Sequence, residues 1–138
     1  EVLGPIYLTG YGDREMAVTK HVAEHTRAIN LCNQLSWQEF GATLQRARLV
    51  ISVDSAAVHL AAATQTPLII LFAGINCPTM WAPPYSLCRT IMAKVPCAPC
   101  LQKTGCPSMA CIRDISVNQV YQTAVDLIGL EAICQKTH

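Results

Sequence analysis

A short polar corner, Asp54-Ser55-Ala56-Ala57-Val58-His59, follows the apolar run Leu49 to Val53 and leads into an alanine-rich stretch. At the start of a helix the first amides have no intrahelical acceptor, and the positive end of the helix dipole lies among them. The N–H groups around Ser55, Ala56 and Ala57 are therefore suited to holding a phosphate. Ser55 and His59 stand four residues apart, so both side chains can face one ligand. A plainer reading has Asp54 or Ser55 cap the helix and His59 pack against a sheet. The local sequence leaves both open.

The second cluster with chemistry in it is Cys97-x2-Cys100-x5-Cys106-x4-Cys111, four thiols within residues 97–111, with Pro96, Pro99, Gly105 and Pro107 shaping the turns. A C-x2-C pair is a usual half-site for tetrahedral zinc, although Cys106-x4-Cys111 is looser than the standard second half. A structural zinc, two disulfides and four reduced buried thiols all remain open. Iron–sulfur clusters use tighter spacing. No histidine lies nearby in sequence to activate a thiol, so cysteine catalysis is not expected. Cys32, Cys77, Cys88 and Cys134 read as small apolar residues. His21, His25 and His138 read as solvent-facing; the first two have i, i+4 spacing, but the sequence offers no evident third ligand.

These residues need elements to position them. Pro5 to Thr9 reads as a buried strand stopped by Gly10, and Asp13 to Glu24 as a helix with acids in its first turn. A short strand is expected near Ala28 to Leu31. Ser36 and Glu39 form a capping box, with Leu35 and Phe40 placed as a hydrophobic staple. Trp37, Phe40, Leu44 and Ala47 then recur at helical spacing. Leu49 to Val53 is a β-branched run without polar alternation, which predicts a strand buried on both faces. A helix over Ala56 to Ala63 and a strand over Pro67 to Phe72 complete a βαβ unit with a parallel sheet. Residues 74–89 read as loop, with Trp81 beside Pro83 and Pro84, and residues 89–93 as a last strand. Ser116 caps a final helix whose stripe is Val117, Val120, Tyr121, Ala124, Leu127 and Ile128, closed by Gly129. The resulting class is α/β, a Rossmann-like doubly wound parallel sheet, where ligands bind beyond the carboxyl ends of the strands.

Composition narrows the field. With 138 residues there is room for one domain and one core. Half the residues are apolar and 14% are charged, which argues against disorder. A net charge of +1 without a basic run excludes nucleic acid as the expected partner. The apolar runs are too short to cross a bilayer, and the amino terminus lacks the order of a signal peptide. Eight cysteines without an export signal fit a reduced cytoplasmic compartment better than a secreted disulfide scaffold. The chain opens at Glu1 rather than Met and is read as a piece of a longer protein.

Two segments together, Val50-Ile51-Ser52-Val53-Asp54-Ser55-Ala56-Ala57-Val58-His59-Leu60-Ala61-Ala62-Ala63 and Thr66-Pro67-Leu68-Ile69-Ile70-Leu71-Phe72-Ala73-Gly74, resemble the signature of glycosyltransferase family 9. Gly10-Tyr11-Gly12-Asp13-Arg14-Glu15 is similar to an earlier acidic glycine turn of that family. The cysteine segment followed by Ile112-Arg113-Asp114-Ile115 resembles a subset of its members. The resemblance implies a GT-B fold of two Rossmann-like halves, with residues 1–138 as an incomplete C-terminal half lacking its first strand and helix.

It also implies an activity: inverting transfer of heptose from ADP-heptose to the lipopolysaccharide inner core, without a nucleotide-binding metal. Asp54 then contacts the sugar, while the Ser55, Ala56 and Ala57 amides and His59 hold the diphosphate. Glu15 is placed at the ribose or adenine, and Leu35 walls the base. Many members have glycine at position 56, where Ala56 puts a methyl group beside the phosphate site. The family's catalytic carboxylate and its acceptor site belong to the N-terminal half, so no catalytic residue and no turnover are expected of this piece alone. The implied location is cytoplasmic, or peripheral at the inner membrane. The rival reading is a non-catalytic nucleotide-binding or zinc-stabilised interaction module. A weaker one is another GT-B nucleotide-sugar enzyme, such as an epimerase.

Overall fold

A computed structural model describes residues 4–100 and 105–129. Cys134 and His138 lie outside the described residues. The chain divides into two compact units, Glu1–Phe40 and Gly41–His138.

The first unit is a small βαβ arrangement. Strand β1 (Tyr7–Leu8) pairs in parallel with β2 (Ile29–Asn30), and helix α1 (Asp13–His25) connects them. The pairing extends past the strands: the Ile29 amide donates to the Ile6 carbonyl at 2.8 Å, and the Asn33 amide to the Gly10 carbonyl at 3.0 Å. The strand expected to be buried is open instead, with Tyr7 half exposed and Ile6 likewise. A two-residue pairing covered by one helix has too little sheet to enclose its side chains. Cys32 is fully buried, as expected of a small apolar residue.

The start of helix α2 (Trp37–Arg46) follows the sequence closely. The Ser36 amide donates to Glu39 Oε2 at 2.8 Å, and the Glu39 amide donates to Ser36 Oγ at 3.3 Å. The reciprocal pair is the capping box. The Ser36 hydroxyl, which donates to Glu39 Oε2 at 2.6 Å, and then the Ser36 amide hold the Glu39 carboxyl below its ordinary pKa. Of the expected apolar stripe, Leu44 is buried, while Trp37 is exposed and sits 6.0 Å, centroid to centroid, from the Phe40 ring.

The second unit is built on three parallel strands in the order β3-β4-β5: β3 (Val50–Val53), β4 (Leu68–Leu71) and β5 (Cys88–Ile91). Helix α3 (Ala56–Ala63) links the first two, and a short helix α4 (Pro78–Trp81) lies in the segment read from sequence as loop. A further short helix α5 (Ala110–Arg113) precedes α6 (Val117–Ile128).

Sheet parity decides which side chains are covered. On one face Val50, Leu68, Ile70 and Phe72 are buried, as are Val58 and Ala61 of α3, which packs on β3 and β4. On the other face Ile69, Ile91 and Ala124 of α6 form a core, with Leu49, Leu71, Ile115, Val120 and Leu127 packed around it. The helices on both faces give the doubly wound layering expected.

Coverage on the α6 side stops short of β3. Ile51 and Val53 share the face of Ile69 and Leu71 by register, yet each is about half exposed (48% and 53%). The expectation of a strand buried on both faces therefore fails for β3 and holds for β4, which is flanked on both sides. Likewise Val117 and Tyr121 of the final stripe are exposed, because α6 reaches the sheet only along Val120, Ala124 and Leu127. Its ends match the sequence: the Gln119 amide donates to Ser116 Oγ at 3.4 Å, and Gly129 closes the helix at φ 66°.

Candidate functional site

In the second unit the strands run parallel with Val53 opposite Leu71, so the ends of β3 and β4 open onto the same edge. Asp54 leaves β3 there, and Ser55 turns the chain into α3 with extended backbone (φ −156°, ψ 178°). Ser55 does not cap the helix with its side chain. Its hydroxyl lies 3.0 Å from that of Ser52, which also reaches the Val53 carbonyl at 2.8 Å. The side-chain capping role is thus unfilled by Ser55, whose backbone carbonyl accepts the Val58 amide at 3.1 Å while its hydroxyl makes no bond to the first turn of α3. Ser55 and Ala56 are exposed, Ala57 is partly covered, and His59 is exposed one turn further along. The alternative of His59 packing against the sheet does not occur; His59 is exposed, and Val58 and Ala61 fill that role.

Asp54 is partly buried and fixed by a residue that sequence reading passed over. Asn76 Nδ2 donates to Asp54 Oδ2 at 2.5 Å. Asn76 sits in the loop after β4, a few residues beyond Phe72, so two adjacent strand ends are tied by one charge-assisted bond. The same loop receives the cysteine segment. The Cys100 amide donates to the Gly74 carbonyl at 2.9 Å, and a Cβ on Gly74 would lie 3.0 Å from Ala98 Cβ and 3.5 Å from Cys111 Cβ. Gly74 is buried, and its lack of a side chain permits this close passage.

The thiols themselves are not drawn to one point. Cys97, Cys100, Cys106 and Cys111 are all unpaired, and they do not form a group of three or more ligand atoms within 4.8 Å of one another. A tetrahedral zinc site would require its four sulfurs closer than that, so this arrangement does not fit the ion without rearrangement. Cys106 instead pairs with the Ser108 hydroxyl at 3.3 Å, which lowers its thiol pKa. Cys77, read from sequence as apolar filler, is exposed; the Thr79 hydroxyl at 3.0 Å lowers its pKa. Cys88 behaves as expected of a half-buried thiol, its pKa raised by burial.

Two expected ligand residues belong to the first unit. Glu15 lies in the first turn of α1 and accepts the Tyr11 amide on Oε2 at 2.9 Å, with its carboxylate folded over Gly10. A side chain at Gly10 would have to displace that carboxylate and would press on Glu15 Cβ at 3.1 Å. Gly12 starts the helix at φ 97°, its amide held by Asn33 Oδ1 at 2.7 Å. Leu35 is half-buried just before the capping box.

A family model for glycosyltransferase family 9 (heptosyltransferase) matches residues 4–109, which is well over half the chain. The chain belongs to glycosyltransferase family 9. Lipopolysaccharide heptosyltransferase 3 of Escherichia coli is 45% identical over 53 residues, which are 38% of this chain and 15% of that protein. Among solved structures, a glycosyl transferase family 9 protein from Veillonella parvula superposes with a TM-score of 0.73 at 21% identity, covering 90% of this chain and 36% of the other. That likeness carries the α/β, GT-B-type fold. The chain thus spans about a third or less of the length of the relatives it matches. Among the described residues, no helix is long and apolar enough to cross a membrane.

Proposed function

We propose that this family 9 chain supplies the donor-binding part of a heptosyltransferase that moves heptose from ADP-heptose to the lipopolysaccharide inner core. The observation that carries the reading is the corner Asp54–Ala57, where an α3 start not capped by the Ser55 side chain stands beside a carboxylate fixed by Asn76 at one strand edge. In this reading the Ser55, Ala56 and Ala57 amides and His59 hold the diphosphate, with the α3 dipole favouring its charge. Asp54 accepts hydrogen bonds from the sugar hydroxyls, and Asn76 keeps it turned toward the edge. Glu15 serves the ribose or adenine and Leu35 the base. Family membership supports glycosyl transfer, and the likeness to the Escherichia coli heptosyltransferase supports the choice of sugar and acceptor.

The transfer itself needs no metal in this scheme, because backbone amides and the helix dipole offset the diphosphate charge. A zinc in the 97–111 segment would be structural and would require the four thiols to close up. The acceptor and the catalytic carboxylate come from the family's other half, so residues 1–138 bind donor without turning it over. Heptose donors are cytoplasmic compounds in this reading, which places the protein in the cytoplasm or at the inner face of the inner membrane. Calorimetric titration with ADP-heptose, ADP, UDP and GDP tests the proposal. It expects the adenine nucleotides to bind and the other two to bind at least tenfold more weakly; equal binding of all, or none, would overturn it.

A further inference from the structure

Helix α1 brings together three groups that none of the chemistry above uses. The imidazoles of His21 and His25 and the carboxylate of Glu24 each offer one ligand atom, all within 4.8 Å of one another, and all three side chains are exposed. We propose that this triad binds a borderline divalent transition-metal ion, with zinc as the probe, independently of the nucleotide corner.

Three observations support the site. The spacing i, i+3, i+4 on a helix of 13 residues places the groups over one turn of one face. A tetrahedral zinc with bonds of about 2.1 Å holds its ligand atoms roughly 3.4 Å apart, so atoms already within 4.8 Å need only side-chain rotation to close on it. Second, His25 Nδ1 lies 2.8 Å from the His21 carbonyl oxygen. A carbonyl can only accept, so Nδ1 carries the proton and the neutral ring keeps its lone pair on Nε2. This is the arrangement by which a backbone carbonyl fixes the tautomer and orientation of a metal-binding histidine. Third, His25 ends α1, where the negative end of the helix dipole favours a cation. The two rings stand 4.5 Å apart, centroid to centroid, at 47°, so they are neighbours without being stacked flat.

Two imidazoles and one carboxylate leave coordination positions for water, and that donor set suits zinc, nickel or copper(II) better than magnesium or calcium. The ion would clip the last turn of a helix that contains no buried residue. Binding only the folded helix, it would also raise the thermal midpoint of the chain.

The test is zinc titration of the 138-residue chain after its accessible thiols have been capped with iodoacetamide under native conditions, which leaves fully buried Cys32 untouched. Calorimetry and the imidazole C–H resonances are read together. The expected result is one zinc per chain, with the His21 and His25 resonances shifting first. H21Q and H25Q should each weaken binding by roughly tenfold or more, and E24Q by several-fold. All three substitutions are at exposed positions, so circular dichroism should be unchanged. Zinc uptake that is undiminished in the H21Q/H25Q double variant, or no uptake by the capped chain, overturns the proposal.

Discussion

Asn76 and Asp54 lie 22 residues apart in sequence, yet Asn76 Nδ2 reaches Asp54 Oδ2 at 2.5 Å across the ends of neighbouring parallel strands. The bond orients the Asp54 carboxylate at the β3–α3 corner. If Asp54 meets the sugar and the amides meet the diphosphate, the two parts of the donor can be separated by mutation. Asn76→Ala should weaken ADP-heptose binding roughly tenfold, the lower range for a hydrogen bond to a charged group, and leave ADP binding nearly unchanged. Equal losses for both ligands in calorimetry would contradict this division.

The loop after β4 makes a second prediction. A methyl group on Gly74 would sit 3.0 Å from Ala98 Cβ, tighter than ordinary packing allows. Gly74→Ala should therefore push the segment around Ala98 outward and weaken the bond from the Cys100 amide to the Gly74 carbonyl. Hydrogen exchange at Cys100 should accelerate while exchange in β4 stays slow. Unchanged protection at Cys100 would show that the segment is held by other contacts.

Tyr85 links stability to high pH. Its hydroxyl donates to the Thr66 carbonyl at 2.7 Å, and burial, with a smaller contribution from the Cys88 thiolate, pushes its pKa up from 10.0 to about 12. The unfolded chain loses this proton first, so between pH 10 and about 12 the folded state binds more protons and stability falls as pH rises. Tyr85→Phe should remove that component of the alkaline loss. Spectroscopic titration of tyrosinate should find one group ionising near pH 12 in the wild type and none there in the variant.

At acid pH the capping box should dominate the first turn of α2. The folded pKa of Glu39 is lowered by Ser36, so its contribution is present above the ordinary glutamate range and is lost as pH falls through the folded value. Ser36→Ala removes the hydroxyl cap and the largest cause of the shift, leaving the backbone amide bond to Glu39, and its destabilisation should shrink as the pH is lowered. A pH-independent effect in denaturant titrations would mean that the carboxylate contributes nothing to the cap.

Phe72 tests the core that supports the corner. It is fully buried at the end of β4, so Phe72→Ala should cost about 3–5 kcal/mol in denaturant unfolding. Ile51→Ala, on the half-exposed strip of β3, should cost far less.

The parts of this fold legible in sequence are those decided within a few residues. The Ser36–Glu39 box, the ends of α6 at Ser116 and Gly129, and the run of α3 from Ala56 to Ala63 all lie where local chemistry put them. β-branched composition also located β3 and β4 to within a residue or two. Composition could not tell the two strands apart, because burial of Ile51 and Val53 depends on how far α6 reaches across the sheet. Exposure of Val117 and Tyr121 has the same origin. Asn76 was invisible for a different reason: its role exists only once two strand ends share an edge. The cysteine spacing suggested convergence, but a ligand set depends on where each thiol points, and Cys106 turns to Ser108.

The most direct test of the nucleotide corner is an amide chemical-shift titration of the chain with ADP, in chelator so that no cation recruits the α1 histidines. The amides of Ser55, Ala56 and Ala57 should shift most and saturate together. Saturation by ADP with these three amides unmoved would contradict the donor-binding role of the corner.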